Sequence, residues 1–442
     1  MNASAIDKET LRAFQKVLRQ SSRPLDADDP YYVPLLHGSD AEDVIERLFQ
    51  TIQDTEGSGL YYFTGQRGTG KSTELRRLKT LLNGNGYRCI LFDALNYVHE
   101  AKPIDAEMLM LAVAAGLADE MERTYKQDVS IETPVSRFWA WLQTDVTLES
   151  ITVPGSGMKF NLRAQQDTLA QRIADMGSPQ RFHQTLLDHI AEMAEFVRQR
   201  EQRPVVLVVD SLENLRGNPM TADDKQLFAS VAKVFADQMD MLKVLGVHMV
   251  YSVPPYLCLL ENVRAYVPWF SLASVRVCED PKKARRTPRG TGLAVMRSVL
   301  DKRWSAWRDV LAEQAADKLA LLCGGDLRQF ILRLLVDVLH EAQFALDRLP
   351  LTASDPILQD MEQACATEML QLTVRDERPL LNQITRDNTP VMPRRDQLQT
   401  LAHLLDTKVI LNYRNGRDWY DIHPSLWKAM DDFASTSTGA AQ

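Results

Sequence analysis

The chain has 442 residues, of which 45% are apolar, 25% charged and 7% aromatic, a balance that excludes fibrous and low-complexity classes and fits a globular protein. Its net charge of −8 argues against broad binding to duplex DNA, because proteins of that class usually carry a basic surplus. The five cysteines are scattered without a C-x-x-C pair, which argues against a zinc site or a disulfide framework and favours a reducing compartment.

No targeting or membrane segment is predicted. The N-terminal sequence MNASAIDKETLRAF is polar and lacks the apolar stretch of a secretory signal. Apolar runs such as residues 205–209 and 247–253 are far shorter than the roughly 20 residues that cross a bilayer. We therefore expect a cytoplasmic protein with no membrane partner, and its length leaves room for two or three domains.

The N-terminal part of the chain predicts one βαβ unit. Residues 1–30 favour a polar helical arm, and residues 44–52 carry apolar side chains at helical spacing. The aromatic-rich run 60–64 predicts a buried strand that leads directly into a glycine-rich loop. A helix over 73–82 and a strand over 88–93 follow, so strand, loop, helix and strand alternate as in a parallel sheet.

The middle of the chain predicts helices, an insertion and the remaining strands. Residues 106–143 are rich in helix-forming residues, whereas residues 149–163 alternate apolar and polar side chains around a Pro-Gly turn. This alternation predicts an inserted β-hairpin. The apolar run 205–210 predicts a central parallel strand, 247–252 another, and 274–279 the last strand of the sheet.

Beyond residue 281 the pattern is helical until a final hairpin. Asn415-Gly416 separates two runs rich in apolar and aromatic residues, which is the strongest short signal for a β-hairpin. A predicted helix over residues 396–405 precedes this hairpin. A helix followed by a hairpin is typical of a winged-helix module.

The glycine-rich loop carries the clearest chemistry. Residues 65–72, GQRGTGKS, match the pattern G-x-x-x-x-G-K-[ST] at every fixed position, and glycines let such a loop wrap with its N–H groups pointing inward. Lys71 would reach the β- and γ-phosphates, and the Ser72 hydroxyl is a natural Mg²⁺ ligand. Without an N-K-x-D guanine motif, ATP is the expected nucleotide. The predicted nucleotide-binding residues are Gly65, Gln66, Arg67, Gly68, Thr69, Gly70, Lys71, Ser72 and Thr73.

An acidic strand end supplies the second part of the predicted site. The run VVLVVD ends at Asp210, which would emerge at the carboxyl edge of the sheet and hold Mg²⁺. The alternative is an aspartate that merely ends a strand at a turn. Glu213 is the nearest acid on the same segment and the candidate base for the attacking water, with a solvated loop carboxylate as the alternative.

These motifs predict an α/β fold, a P-loop NTPase core with a parallel sheet flanked by helices, followed by a helical lid and a C-terminal winged-helix-like domain. The predicted boundaries are residues 1–30 for the arm, 31–280 for the core with an insertion at about 124–180, 281–348 for the lid, 349–434 for the winged-helix-like domain and 435–442 for a disordered tail.

In the order of these motifs the sequence resembles the AAA+ superfamily, particularly its STAND and origin-recognition-initiator relatives. The resemblance covers most of residues 31–345, and residues 31–34 lie where such proteins cover the adenine. It implies that Ser252 is the polar sensor 1 and that Arg328, in the sequence GGDLR, is the sensor 2 arginine that approaches the γ-phosphate. AAA+ proteins usually place a glutamate where this chain has Ser211, so the resemblance implies slow hydrolysis.

Two basic segments allow more than one interpretation. Residues 282–289 could supply an arginine finger or contact nucleic-acid phosphates, but a solvated loop is favoured, and Arg264 is another finger candidate. The final hairpin combines basic and aromatic residues that could contact DNA. However, residues 391–432 hold six Lys/Arg and six Asp/Glu, so packing of this domain on the ATPase is favoured.

The resemblance implies a Mg²⁺-dependent ATPase switch that controls the assembly or activation of a partner, as in bacterial defence, including antiviral defence, or signalling. We expect a homo-oligomer, a separate effector protein, or both. The alternative is an ATP-dependent DNA loader or remodeller similar to initiators and transposition regulators, although the net charge does not support DNA as the partner. A third interpretation is a scaffold in which the nucleotide is structural.

Overall fold

The computed structural model describes residues 6–35, 43–125, 133–146, 162–175, 178–215, 222–260, 263–279, 286–389 and 397–431. The chain divides into two compact units. The sheet unit comprises residues 45–64 and 75–271, and the lid unit comprises residues 1–44, 65–74 and 272–442.

The α-helices and β-strands of the described residues alternate through the first half of the chain, whereas the second half is mainly helical. The helices are α1 (Lys8–Gln20), α2 (Val44–Asp54), α3 (Lys71–Gly84), α4 (Ala106–Tyr125), α5 (Pro134–Val146), α6 (Gln166–Asp175), α7 (Pro179–Glu201), α8 (Ala222–Ala232), α9 (Val263–Tyr266), α10 (Gly290–Arg303), α11 (Glu313–Leu322), α12 (Leu327–Gln329), α13 (Leu335–Ala342), α14 (Pro356–Gln371), α15 (Arg378–Asp387) and α16 (Leu398–Asp406). The strands are β1 (Gly59–Thr64), β2 (Arg88–Asp93), β3 (Val205–Asp210), β4 (Val247–Val253), β5 (Trp269–Ser271), β6 (Ile410–Arg414) and β7 (Asp418–Ile422).

In the sheet unit, the first five strands form one parallel sheet in the order β2-β3-β4-β1-β5. Every residue of β3 and β4 is buried, as expected for parallel strands that are covered on both faces. Helix α4 is buried along most of its length and packs against α7. The predicted α/β fold class, with a parallel sheet flanked by helices, is confirmed.

The last strand of the sheet is β5, and the prediction of a strand over residues 274–279 is wrong. The backbone groups of this later segment bond to the lid unit instead of a sheet neighbour. Ser274 N donates to Asn412 O at 3.1 Å, and Val275 N donates to Gly325 O at 3.2 Å. The apolar alternation of 274–279 therefore reflects burial against helices and the final hairpin.

The lid unit has its own apolar core, which includes the N-terminal helix. Leu11, Phe14 and Leu18 on α1 are fully buried among the side chains of α10, α11 and α13. The Phe14 ring stacks on Trp304 with centroids 5.2 Å apart, and Asp7 caps the helix by accepting a hydrogen bond from Thr10 N at 2.8 Å. The predicted arm is thus a helix with one buried face.

The C-terminal part of the lid unit contains the predicted helix and hairpin. Helix α16 precedes β6 and β7, which pair antiparallel around Gly416. The rings of Tyr413 and Trp419 stack with centroids 4.5 Å apart, and both residues are buried. Tyr413 also donates its hydroxyl to Gly324 O at 2.9 Å. The aromatic side chains of this hairpin therefore face the protein interior.

Some predicted features lie outside the described residues. Of the hairpin expected over residues 149–163, only the last two residues are described, and the tail 435–442 lies entirely outside the described residues.

No helix within the described parts of the chain is long and apolar enough to cross a membrane.

A fully buried histidine joins the hairpin to the lid helices. His423 Nε2 lies 3.1 Å from Gln329 Oε1, and Nδ1 lies 2.7 Å from Ser425 Oγ. The amide oxygen can only accept, so Nε2 carries the proton and Nδ1 accepts from the serine. Burial, together with the nearby cations Lys408 and Arg333, lowers the pKa of His423 to about 3.

Acid should destabilise the fold through this histidine. The pKa of His423 is lower in the folded chain than the value of about 6.5 expected after unfolding, so the unfolded chain binds the extra proton and stability falls as the pH drops below about 6.5. Between pH 7 and 5 we expect a loss of about 2 kcal/mol that His423→Gln lacks. Urea unfolding at both pH values measures it, and equal pH dependence in the two proteins would contradict the assignment.

Candidate nucleotide-binding site

The phosphate loop starts where β1 ends. Gly65 follows Thr64, the last residue of the strand, and α3 begins at Lys71, so the loop joins a buried parallel strand to a helix N-terminus as the motif requires. Gly68 has a φ of +94°, and a Cβ there would lie 2.8 Å from Arg328 Cβ and 2.9 Å from Asp326 Oδ1. The backbone of Gly68 therefore lies too close to Asp326 and Arg328 for any side chain to fit at this position.

One carbonyl organises the inside of the loop. Gln66 O accepts from Thr69 N at 3.3 Å, from Thr69 Oγ1 at 2.9 Å and from Lys71 Nζ at 3.0 Å. Lys71 is 4% exposed, so its ammonium group is held inside the loop and not in bulk solvent. This arrangement keeps a cation where the polyphosphate of a nucleotide would bind.

The start of α3 packs against the N-terminal segment of the lid unit. Thr73 Oγ1 accepts from Leu25 N at 3.1 Å, and Tyr32 donates to Glu74 Oε1 at 3.1 Å. Arg67 is exposed, whereas Ser72 is half-buried near the start of α3. Tyr32, one of the residues 31–34 that the resemblance places over the adenine, thus contacts the start of the helix that follows the loop.

Helix α12 brings Arg328 and Asp326 beside the loop. Arg328, the predicted sensor 2 arginine, lies next to Gly68. Asp326 is fully buried, caps α12 by accepting from Gln329 N at 2.7 Å, and pairs with Lys408 Nζ at 2.5 Å. Since Lys408 lies in the turn between α16 and β6, the segment before the hairpin supplies the cation for a carboxylate that borders the phosphate loop.

Within the sheet unit, the predicted acid lies at the carboxyl end of β3. Asp210 is 5% exposed, and its Oδ1 accepts from Ser211 N at 2.7 Å. Ser211 has a φ of +72°, so the chain turns sharply directly after the acid. Asp93 is the register partner of Asp210 on β2, which places two carboxylates at the ends of neighbouring strands.

Ser252 and Glu213 are brought together in the same unit. Ser252 lies near the end of β4, paired in register with Phe63 of β1, and its hydroxyl donates to a carboxylate oxygen of Glu213. The predicted sensor 1 and the predicted base therefore interact directly. A serine that holds the carboxylate fixes its orientation, which a base for water activation needs.

The sequence did not predict the roles that three residues near the phosphate loop have in the structure. The side chain of Gln66 occupies a variable position of the motif, and the prediction covered only its backbone. Asp326 precedes the sensor arginine, and Lys408 lies 82 positions later with no motif around it. Of the three, only the role of Asp326 could have been predicted, because an aspartate directly before a helix is a typical N-cap.

The oxygen donors named here suit magnesium. Among the described residues, no group of three or more His, Cys, Asp or Glu side chains forms a metal cluster. A carboxylate such as Asp210 and a hydroxyl such as Ser72 are hard oxygen ligands, and Mg²⁺ is usually bound by one or two such groups together with water and phosphate oxygens.

Comparisons with known proteins found similar solved structures at low sequence identity. No protein-family model matches the sequence, and no curated protein matches it either. Among solved structures, the chain is similar to the Walker-type ATPase PABY2304 of Pyrococcus abyssi, with 14% identity, a TM-score of 0.38 and coverage of 91% of this chain and 100% of that one. It is also similar to the ORC2 protein of Aeropyrum pernix in complexes with ADPNP and ADP, with 10% identity, a TM-score of 0.36 and coverage of 94% and 99%. A third similar structure is Cdc6p from Pyrobaculum aerophilum, with 13% identity, a TM-score of 0.32 and coverage of 92% and 97%.

Removing Lys408 should destabilise the lid unit. Lys408→Met leaves Asp326 fully buried without its cation, and breaking a buried pair in this way costs about 3 to 5 kcal/mol. The control is Lys302→Met, which removes an exposed lysine from α10. Urea unfolding measures the difference. Adding Asp326→Asn to Lys408→Met should recover part of the loss because the amide keeps the cap acceptor without the charge, and no recovery would contradict the ion-pair explanation.

Proposed function

We propose that the chain is a Mg²⁺-dependent ATPase of the AAA+/STAND kind. The observation that carries the proposal is the phosphate loop, which matches its motif at every fixed position and joins a buried parallel strand to a helix N-terminus. The buried ammonium of Lys71 supports it, as does the close approach of Arg328 to Gly68. Both cations are suited to stabilising phosphate charge.

The residues predicted to act in catalysis or metal binding each have a role in this proposal. Lys71 would bind the β- and γ-phosphates, and Ser72 and Asp210 would supply oxygen ligands to Mg²⁺, which neutralises charge on the phosphates when bound. Glu213, held by Ser252, would accept a proton from the attacking water. Arg328 would contact the γ-phosphate from the lid.

We further propose that hydrolysis serves a switch. The lid helix α12 and the turn before β6 both border the phosphate loop in the lid unit, so a triphosphate bound there would change the charge balance around Asp326 and Lys408. Such a change could expose a surface for self-assembly or for a separate effector protein. Bacterial defence or signalling is the setting that the resemblance suggests for this switch.

The structure gives less support to the alternative of a DNA loader. The hairpin aromatics that could stack on bases are buried, and Arg414 pairs with Asp418 at 3.1 Å. Of the basic run 282–289, Arg286 pairs with Asp431 at 2.6 Å and lies over the Trp427 ring, and Arg289 is buried. A solvated loop was the favoured interpretation of this run, but these two arginines pack within the lid unit.

Substitutions in the two motifs separate nucleotide binding from hydrolysis. Lys71→Ala should weaken ATP binding about tenfold or more and abolish turnover, because the principal phosphate cation is lost.

Asp210→Ala should lose Mg²⁺-dependent turnover while retaining ATP binding in EDTA, and Glu213→Gln should lower turnover with little effect on binding. Calorimetry and phosphate release measure the effects, with Lys302→Ala as the surface control. Unchanged affinity in Lys71→Ala would overturn the proposal.

The switch should be visible as a change of particle size. We expect a non-hydrolysable ATP analogue with Mg²⁺ to increase the mass measured by light scattering at least twofold, and Lys71→Ala to remain at the mass it has without nucleotide. Repeating the measurement with duplex DNA at low salt tests the alternative function. The same mass with and without the analogue would favour the structural-nucleotide interpretation.

A further inference from the structure

Strand β6 has one edge that β7 does not cover. Tyr420, the register partner of Asn412, sends its N–H to Asn388 O at 2.9 Å and not across the hairpin. Residues 410 and 412 therefore form non-hydrogen-bonded pairs with β7, and their backbone groups point away from it. An uncovered strand edge with unpaired backbone groups needs partners when it is buried.

The side chain of Gln66 supplies partners for Ile410 O and Asn412 N, while Ser274 N donates to Asn412 O at 3.1 Å. Its Nε2 donates to Ile410 O at 2.7 Å and to Leu405 O at 2.9 Å, while its Oε1 accepts from Asn412 N at 2.9 Å. The primary amide thus bonds to the edge of β6 as the N–H and C=O of one residue in a neighbouring parallel strand would. Both of its N–H groups are used, and the residue is 3% exposed.

The same residue holds the phosphate-binding lysine. Gln66 O accepts from Lys71 Nζ at 3.0 Å, so the backbone of this residue orients the cation while its side chain bonds the C-terminal hairpin. A glycine-rich loop loses much conformational freedom when it wraps a phosphate. Anchoring one loop residue in advance removes part of that cost and so favours binding.

We propose that Gln66 is a positioning residue that couples triphosphate binding to the docking of β6. In this role the hairpin, through Gln66, holds the phosphate loop in the conformation that binds the nucleotide. The hairpin itself does not contact the nucleotide. Thermodynamic linkage makes the effect reciprocal, so a bound triphosphate strengthens the bonds between Gln66 and β6. This inference rests on the proposed ATP binding and extends it to a named contact.

The first experiment needs no substitution. Hydrogen exchange at single-amide resolution compares Asn412 N–H in the wild-type chain with and without a non-hydrolysable ATP analogue and Mg²⁺. We expect the analogue to slow exchange at Asn412 about tenfold, while the amide of Tyr413, which faces β7, changes less than twofold. Unchanged exchange at Asn412 with the analogue bound would overturn the inference.

The second experiment removes the amide and keeps the length of the side chain. Gln66→Met should raise Asn412 exchange without nucleotide, raise the KM for ATP about tenfold and change kcat less than twofold, because the reacting groups stay in place. Gln50→Met, at an exposed glutamine of α2, is the matched control. Equal KM values in the two variants would overturn the inference, whereas a wild-type chain that binds no ATP would overturn the proposed function itself.

Discussion

The close approach of the phosphate loop to the lid at Gly68 is the constraint on which the other features of the site depend. A positive φ and the absence of a side chain let the loop backbone lie against Arg328 and Asp326. The Asp326 carboxylate beside this approach is fully buried, and a buried carboxylate requires a cation, which Lys408 provides. The phosphate loop, α12 and the turn before β6 are therefore linked by one steric and one electrostatic requirement.

Two opposite electrostatic solutions occur within this small region. Asp326 remains compatible with burial because Lys408 lies 2.5 Å away, whereas His423, also fully buried, remains neutral beside the same lysine. The lysine thus pairs with one buried side chain, and burial together with the lysine charge lowers the pKa of the other. The charge of one turn residue thus affects both the cap of α12 and the bond between the hairpin and the lid.

Much of this architecture could be predicted from the sequence because it follows from local pattern. The strand-loop-helix unit, the strand ending at Asp210 and the Asn415-Gly416 hairpin each have a periodicity or a turn residue that predicts them. The misplaced last strand shows the limit. Residues 274–279 have the alternation of a strand, but their backbone partners, Asn412 and Gly325, lie far away in sequence and belong to another element. Long-range partners such as Gln66 with Ile410 leave no local signal either.

The position of α1 in the lid core has a consequence for how the chain is made. This helix is synthesised before the sheet unit, yet Gln15 donates to Val336 O across 321 residues, and its apolar face packs on helices from the same late part of the chain. The whole sheet unit is synthesised in between. During translation the apolar face of α1 therefore stays unpacked until the helices of residues 290–342 have been synthesised. The lid unit can complete its core only after the sheet unit has emerged.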